Sequence, residues 1–257
     1  MLLITFAYLL FLATPIALLF VGSFGESWSN TLLPHGFTTR WYLEVAADPS
    51  FQRAFVTSIK VVIATGVFNV LIGLPLAYAI YSSARRGVRL AAKIMALLPI
   101  AVPDLVLGFG FILVFSSDTA PWLGSIGLLI AAHVILTLPY TVNTVLADMQ
   151  QLRLYDYEQV AATLSAPFWT RLKDIVLPLL GTSVLSSLLT VAALSIGEFQ
   201  ISNLISGFMS RTYPVVLLQA FYGATGFACA ATVVLLLLAI LASCASSLTA
   251  SVSSRRA

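Results

Sequence analysis

Gln159-Val-Ala-Ala-Thr-Leu-Ser165 is the centre of a polar segment in a chain that is otherwise almost wholly apolar. The segment continues as Ala166-Pro-Phe-Trp169 and closes with Val176-Leu-Pro-Leu179. Of the 257 residues, 60% are hydrophobic and only 9% are charged, and the mean hydropathy is +1.00. These values lie outside the range of soluble globular domains. The composition therefore predicts a membrane protein that keeps this one segment in water.

The apolar runs have the length of transmembrane helices. Lipid offers no partner to backbone N–H and C=O groups, so each crossing is a helix of about 20 apolar residues unless the chain forms a closed barrel. No strand-like alternation of apolar and polar residues recurs. We predict an all-α membrane protein with six spans, near Leu2–Phe24, Phe55–Ser82, Leu90–Phe115, Leu123–Leu146, Ile175–Phe199 and Phe227–Ser247.

The distribution of basic residues predicts the orientation. An even number of spans places both termini on one side, and Lys and Arg concentrate on cytoplasmic flanks. With cytoplasmic termini, nine basic residues lie inside and four outside. The nine are Arg85, Arg86, Arg89, Lys93, Arg153, Arg171, Lys173, Arg255 and Arg256, and the four are Arg40, Arg53, Lys60 and Arg211. The formal charge of +3 follows from this topology, so no nucleic-acid partner is expected.

The polar segment is predicted to form two short cytoplasmic helices within residues 147–174, between the fourth and fifth spans. Pro167 separates the two helices because its ring removes a backbone donor and clashes with the preceding turn. The first helix carries several small residues, namely Ala161, Ala162, Ser165 and Ala166. They predict a surface of low relief that a partner protein grips closely.

This segment resembles the cytoplasmic loop of the permease subunits of type I ATP-binding-cassette importers, the binding-protein-dependent inner-membrane components. The family pattern is Glu-Ala-Ala, three further residues, Gly, and later Leu-Pro. Here Gln159-Val160-Ala161 stands for the triplet, Ser165 for the glycine, and Leu177-Pro178 for the final pair. The acid, which in the family helps to hold the loop against the ATPase, is replaced or shifted onto Glu158.

The resemblance covers about residues 50–250 and implies a domain layout. Residues 1–50 form the first span and an outer loop, residues 51–250 form a five-helix core that includes the loop 147–174, and residues 251–257 form a cytoplasmic tail. A coupling helix in the loop then docks on the ATPase. The coupling residues implied are Glu158, Gln159, Val160, Ala161, Ala162, Ser165, Ala166 and Pro178.

The resemblance also implies an assembly in the bacterial inner membrane. Its members would be two ATPase subunits, a second permease subunit that is identical or homologous, and an extracytoplasmic solute-binding protein. The chain has no Gly-x-x-x-x-Gly-Lys-[Ser/Thr] phosphate loop. We therefore expect no enzymatic activity and no cofactor in this chain, with ATP and Mg²⁺ bound by the partner ATPase, and no metal site.

Two acidic residues within the spans are candidates for the substrate pathway. Asp104 in the third span follows Pro103, so it either faces a pathway or caps a helix that restarts there. Glu198 near the outer end of the fifth span either borders a substrate entrance or is a solvated helix end. His133 in the fourth span is expected to be a neutral, hydrogen-bonded structural residue; a proton relay would need acidic partners on neighbouring helices.

The Pro103-Asp104 and Gly197-Glu198-Phe199 pieces resemble the spermidine/putrescine-type branch of the family, which includes carriers for aminoalkylphosphonate and ferric iron. The resemblance implies a small solute with an amino group, such as a polyamine or 2-aminoethylphosphonate. The alternatives are an ion- or proton-coupled secondary transporter, in which Asp104, His133 and Glu198 would carry the ions, and a membrane scaffold that only recruits another protein. Dependence of transport on a partner ATPase separates these alternatives.

Overall fold

A computed structural model describes the chain over residues 2–28, 31 and 33–254. Arg255 and Arg256, in the last three residues of the predicted tail, lie outside the described residues. Within the described part the chain is helical, and β-structure is limited to the isolated bridges Ser27–His35 and Gly124–Ser206. The helices are α1 (Leu2–Ser23), α2 (Arg40–Ala47), α3 (Pro49–Ser82), α4 (Arg86–Ala101), α5 (Asp104–Phe115), α6 (Ile126–Gln151), α7 (Leu154–Thr163), α8 (Phe168–Arg171), α9 (Leu177–Leu179), α10 (Gly181–Gly197), α11 (Gln200–Ile205), α12 (Tyr213–Ala220) and α13 (Thr225–Ser254).

These helices confirm the predicted fold class. In the described chain, α1, α3 and α6 are each long and apolar enough to cross a membrane. Two bent pairs meet the same criterion if each is one span: α4 with α5, at 96°, and the Phe168–Leu179 segment with α10, at 60°. The sixth predicted span corresponds to α13, whose first part, Thr225–Leu241, is a shorter apolar stretch. The third span, predicted as one run over Leu90–Phe115, is instead two helices.

Proline accounts for both bends. Pro103 stands between α4 and α5, where it has no N–H to continue the helical hydrogen-bond ladder. Pro178 lies in the short α9, directly after a π-helical turn over Leu172–Val176. The wider π turn and the missing N–H of Pro178 both interrupt regular α-helical bonding, so α10 starts in a new direction.

Helix α3 begins earlier than the predicted Phe55 because Asp48 caps it. The Asp48 carboxylate accepts hydrogen bonds from the backbone N–H groups of Ser50, at 2.7 Å, and Phe51, at 3.0 Å. Pro49 occupies the first helical turn, where its missing N–H has no consequence. The Asp-Pro pair is thus a complete helix start, and it adds about two turns to α3 beyond the predicted span.

The core consists of α3, α6 and α10, which pack along one another, while α1 packs on α13. Two clusters of buried apolar side chains lie at opposite ends of the bundle. The first joins α3, α6 and α7 through Ala77, Met149 and Leu154, and it reaches the start of α10 through Leu180 and Val184. The second joins α2, α3, α12 and α13 around Trp41 and Phe51. Helix α7 is therefore anchored in the core at one end of the molecule.

Candidate functional site

Helix α7 is amphipathic, and its buried face repeats at helical spacing. Leu154, Glu158 and Ala161 are buried against the bundle. The opposite face exposes large apolar or aromatic side chains: Tyr155, Tyr157, Val160, which is 64% exposed, and Leu164, which is 78% exposed. The predicted small-residue surface is wrong for Ala161, which faces the bundle. The exposed face is apolar and bulky, with Trp169 of α8 adding to it.

The structure explains why the family pattern has a glycine where this chain has Ser165. Ser165 adopts a left-handed backbone conformation, with φ of 58°. Its N–H bonds the Ala162 carbonyl at 2.9 Å, and the N–H of Ala166 bonds the Ala161 carbonyl at 3.1 Å. This pair of bonds is a Schellman motif that ends α7, and its left-handed position favours glycine. Ser165 thus occupies a glycine position at the cost of some backbone strain.

The remaining predicted coupling residues divide between two sides of the loop. Gln159, Val160, Ala162 and Ser165 are exposed, and Ala166 is half-buried. Pro178 lies apart from them in α9, at the bend that leads into α10. The placement of Glu158 differs from a docking role: its side chain is only 7% exposed, and its Oε1 accepts a hydrogen bond from the Tyr78 hydroxyl at 2.7 Å.

Asp104 and Glu198 lie on one cavity between the helices, with a volume of ≈ 410 Å³. The cavity forms where two crossings are interrupted, between α4 and α5 and between α10 and α11. It is lined by Pro99, Ile100, Asp104, His133, Leu136, Thr137, Tyr140, Leu194, Ser195, Gly197, Glu198, Phe199 and Gln200. Among the residues that the structure describes, no Lys or Arg side chain lines it. The lining of the cavity is therefore acidic in net character.

Glycine permits the two restarted helices, α5 and α11, to pack closely beside this cavity. A methyl group built on Gly108 of α5 would lie 2.5 Å from Leu204 Cδ1 of α11, which is closer than carbon atoms approach. A larger residue at this position would require the Leu204 side chain to move, so glycine permits the close packing of the two helices.

The Glu198 carboxylate holds the break between α10 and α11 together. It accepts hydrogen bonds from the backbone N–H of Ile201, at 2.7 Å, from the N–H of Ser202, at 3.0 Å, and from the Ser202 hydroxyl. These N–H groups lie in the first turn of α11 and have no partner within that helix. The Glu198 side chain is 10% exposed. The alternative of a solvated helix end is wrong.

His133 is buried and hydrogen-bonded, as the structural interpretation predicts, and it also has the acidic neighbour that a proton relay would need. Its Nδ1 lies 2.7 Å from the Ser195 hydroxyl and its Nε2 lies 2.9 Å from the Ser202 hydroxyl. The same Nε2 is 3.4 Å from Glu198 Oε2. Ser202 was missed from the sequence because a serine in an apolar segment gives no signal of its own. The arrangement connects α6, α10 and α11 at the cavity wall.

Asp104 does not act as the N-cap of α5. Asp104 is the first residue of α5, and the capping position belongs to Pro103. Its carboxylate lies instead on the cavity, where the N-terminal end of the α5 dipole favours negative charge. Within the described residues, no group of three His, Cys, Asp or Glu side chains is placed to hold a metal ion.

Most of this chain matches the model of one protein family. The model of the binding-protein-dependent transport system inner membrane component matches residues 69–255, which includes the α7 loop and both sides of the cavity. The chain belongs to this family. It is a permease of the type I ATP-binding-cassette importers, a transport component rather than an enzyme, and a multi-pass inner-membrane protein.

Relatives of this permease have different named substrates. PhnV of Salmonella typhimurium, named for a 2-aminoethylphosphonate transport system, is 26% identical over 82% of this chain and 78% of its own length. ModB of Mycobacterium bovis, named for molybdenum transport, is 33% identical over 65% of this chain and 67% of its own length. ThiP of Escherichia coli, named for thiamine transport, is 27% identical over 68% of this chain, but the match spans only 33% of ThiP.

A solved structure shares the permease fold. A chain of a bacterial alginate importer, in complex with its alginate-bound periplasmic protein, superposes with a TM-score of 0.73 at 18% identity. The match covers 94% of this permease and 90% of that chain. At this identity the likeness supports the fold alone.

Proposed function

We propose that this permease forms the translocation pathway of an ATP-driven importer and couples it to a separate ATPase through α7. The observation that carries the proposal is the exposed apolar face of α7. Val160 lies on α7 and Leu164 directly follows its last residue, while the opposite face of the helix is anchored in the core through Leu154. An exposed apolar patch on an ordered, anchored helix is typical of a protein-binding surface.

The rest of the proposed assembly is the one that membership of the family implies. The end that carries α7 faces the cytoplasm, both termini lie on that side, and two ATPase subunits bind ATP and Mg²⁺ there. A second permease subunit completes the pathway, and an extracytoplasmic solute-binding protein delivers the solute at the opposite end. ATP-driven closure of the ATPases moves the coupling helices together, and the bundle converts this movement into alternating access.

The cavity supports a solute with a positive group. Asp104 and Glu198 give its lining a negative character, and no described Lys or Arg side chain offsets it. In a site of low dielectric, carboxylates attract an ammonium group and repel an oxyanion. Of the substrates named for the relatives, thiamine and 2-aminoethylphosphonate carry a positive group, and 2-aminoethylphosphonate also carries a phosphonate oxyanion, which these carboxylates do not attract. We therefore propose a small amino-bearing solute: the charge of the cavity favours a polyamine, and the likeness to PhnV favours 2-aminoethylphosphonate.

Reconstitution tests the proposed function. The tagged permease, expressed with its genomic neighbours, is purified in mild detergent, and its companions are identified by mass spectrometry. The complex is then placed in liposomes with ATP inside. We expect an ATPase and a solute-binding protein to co-purify and uptake to require ATP. Uptake by the permease alone without ATP would instead support a secondary carrier, and ATPase binding without any uptake would support a scaffold.

The role of Asp104 is tested in the same liposomes. We expect Asp104→Asn to lower uptake of the amino-bearing solute about tenfold, because one charge–charge attraction in the cavity is lost. Protein yield and solute-independent ATP hydrolysis should not change. Asp118, which lies outside the cavity lining, provides the matched control Asp118→Asn. Equal uptake by both variants would contradict a pathway role for Asp104.

A further inference from the structure

Two tyrosines at the end of α3 bind α7. Tyr78 and Tyr81 are separated by one helical turn and so lie on the same face of α3. The Tyr78 hydroxyl donates a hydrogen bond to Glu158 Oε1 at 2.7 Å. The Tyr81 hydroxyl accepts a hydrogen bond from the backbone N–H of Tyr155 at 2.9 Å. Tyr155 and Glu158 are also one turn apart, so the two hydrogen bonds run side by side between the helices.

Each bond satisfies a group that would otherwise lack a partner. Tyr155 is in the first turn of α7, where backbone N–H groups have no acceptor within the helix. The residue before α7, Arg153, has a left-handed backbone and makes no capping bond. The Tyr81 hydroxyl therefore substitutes for the missing cap. Glu158 is buried, and a buried carboxylate is costly unless it is hydrogen-bonded, which the Tyr78 hydroxyl provides.

Tyr78 also contacts the segment that leads into α10. Its ring lies 6.2 Å from the ring of Phe168 in α8, centroid to centroid. One side chain of α3 thus touches both sides of the cytoplasmic loop. Farther along α3, the Asn69 amide donates to the Thr137 hydroxyl of α6 at 2.8 Å. Because α3 packs along α6 and α10, a displacement of its end is passed to the helices that line the cavity.

We propose that Tyr78 and Glu158 are positioning residues that transmit the movement of α7 to α3, rather than residues that bind the ATPase. This inference rests on the proposed docking of α7 on an ATPase. Glu158 faces the bundle and lies on the side of α7 opposite Val160. When the partner moves α7, the Tyr78–Glu158 and Tyr81–Tyr155 hydrogen bonds carry α3 with it. Without the Tyr78–Glu158 hydrogen bond, α7 still moves with the ATPase, but α3 and the helices that line the cavity do not move with it.

The test compares uptake with ATP hydrolysis in liposomes that contain the full complex. Tyr78→Phe keeps the ring and its contact with Phe168 but removes the hydroxyl group. We expect this variant to co-purify with the ATPase and to hydrolyse ATP at the wild-type rate, while solute uptake per ATP falls about fivefold. Tyr8→Phe in α1, at a side chain 61% exposed on the outside of the bundle, is the matched control and should leave the ratio unchanged.

Glu158 variants separate transmission from docking. Glu158→Gln retains an acceptor oxygen for the Tyr78 hydroxyl, so uptake per ATP should remain near the wild-type ratio. Glu158→Ala removes the acceptor, so its ratio should fall as in Tyr78→Phe, and combining the two changes should add little. Wild-type coupling in Tyr78→Phe, or release of the ATPase by Glu158→Gln, would overturn the inference. Failure of the wild-type complex to assemble or to need ATP would instead overturn the proposed function.

Discussion

At the scale of single residues, Ser165 keeps the left-handed backbone conformation that the end of α7 requires, although its side chain differs from the family's glycine. The Schellman motif at the end of α7 needs a left-handed residue, and serine adopts that conformation with φ of 58°. The two hydrogen bonds of the motif are made all the same. Serine in place of the family glycine therefore strains the backbone at this residue but leaves the path of the chain unchanged.

Ser165→Gly should stabilise the end of α7. Glycine has no Cβ to strain the left-handed conformation, so the free energy of opening this turn should rise by about 1 kcal/mol. Hydrogen exchange of the α7 amides measures it, and we expect slower exchange. Ala162→Gly, at an exposed position inside the same helix, is the control and should speed exchange by a similar factor. Faster exchange in both variants would show that Ser165 makes an interaction worth more than the strain.

Glu198 illustrates a side chain with two roles. Its carboxylate caps α11 and also faces the cavity beside His133. Loss of the side chain would therefore disturb the fold and the pathway together. Asp104, which shares the cavity without such bonds to the neighbouring backbone, is the cleaner probe of charge.

At the scale of elements, α7 is defined by the contrast between its two faces. Leu154, Glu158 and Ala161 are held by the bundle, while the face with Val160 and Leu164 lies open. The buried face fixes where the helix stands, and the open face presents apolar area to a partner. A helix that is anchored in this way loses little conformational freedom when the partner binds.

Val160→Asp should release the ATPase. A carboxylate placed in an apolar interface loses hydration without gaining a partner, so we expect affinity to fall by about tenfold or more. Co-purification of the ATPase with the tagged permease measures the effect. Gln151→Asp adds the same charge at the exposed end of α6, outside α7, and should retain the ATPase. Equal recovery with both variants would place the docking surface elsewhere.

At the scale of the whole molecule, apolar side chains remain exposed around the bundle. Helix α1 is an extreme case, since it packs on α13 and exposes most of its length, including Phe6 and Phe11. Such a surface is stable in lipid, or against a second permease subunit, and not in water. The molecule is thus built for a bilayer with its two polar ends in water.

Labelling of single cysteines tests the predicted orientation. In a variant with Cys229 and Cys244 replaced by alanine, Gln159→Cys should react with a membrane-impermeant maleimide only in inside-out vesicles. His35→Cys, in the loop between α1 and α2, should react only in right-side-out vesicles or spheroplasts. Both positions are exposed, so reactivity reports the side of the membrane rather than burial. The reverse pattern would invert the topology and remove α7 from the cytoplasm.

The sequence by itself determined the properties that depend on composition and on local patterns. Long apolar runs require helices in lipid, so the spans could be predicted, and the spacing from Gln159 to Pro178 indicated the family. Asp48-Pro49 is a local signal as well, because a cap involves only neighbouring residues. These inferences need no knowledge of which helix packs on which.

Only the tertiary structure decided which way side chains face and which distant residues meet. The sequence offered Asp104 and Glu198 separately, and the packing of α5 on α11 brought both to one cavity. Glu158 was predicted as a coupling residue, but its contact with Tyr78 turns it inward. The direction of a side chain around a nearly uniformly apolar helix is set by its neighbours, because such a helix has little amphipathic pattern of its own. For that reason the facing of Asp104 and Glu198 could not be derived from the sequence.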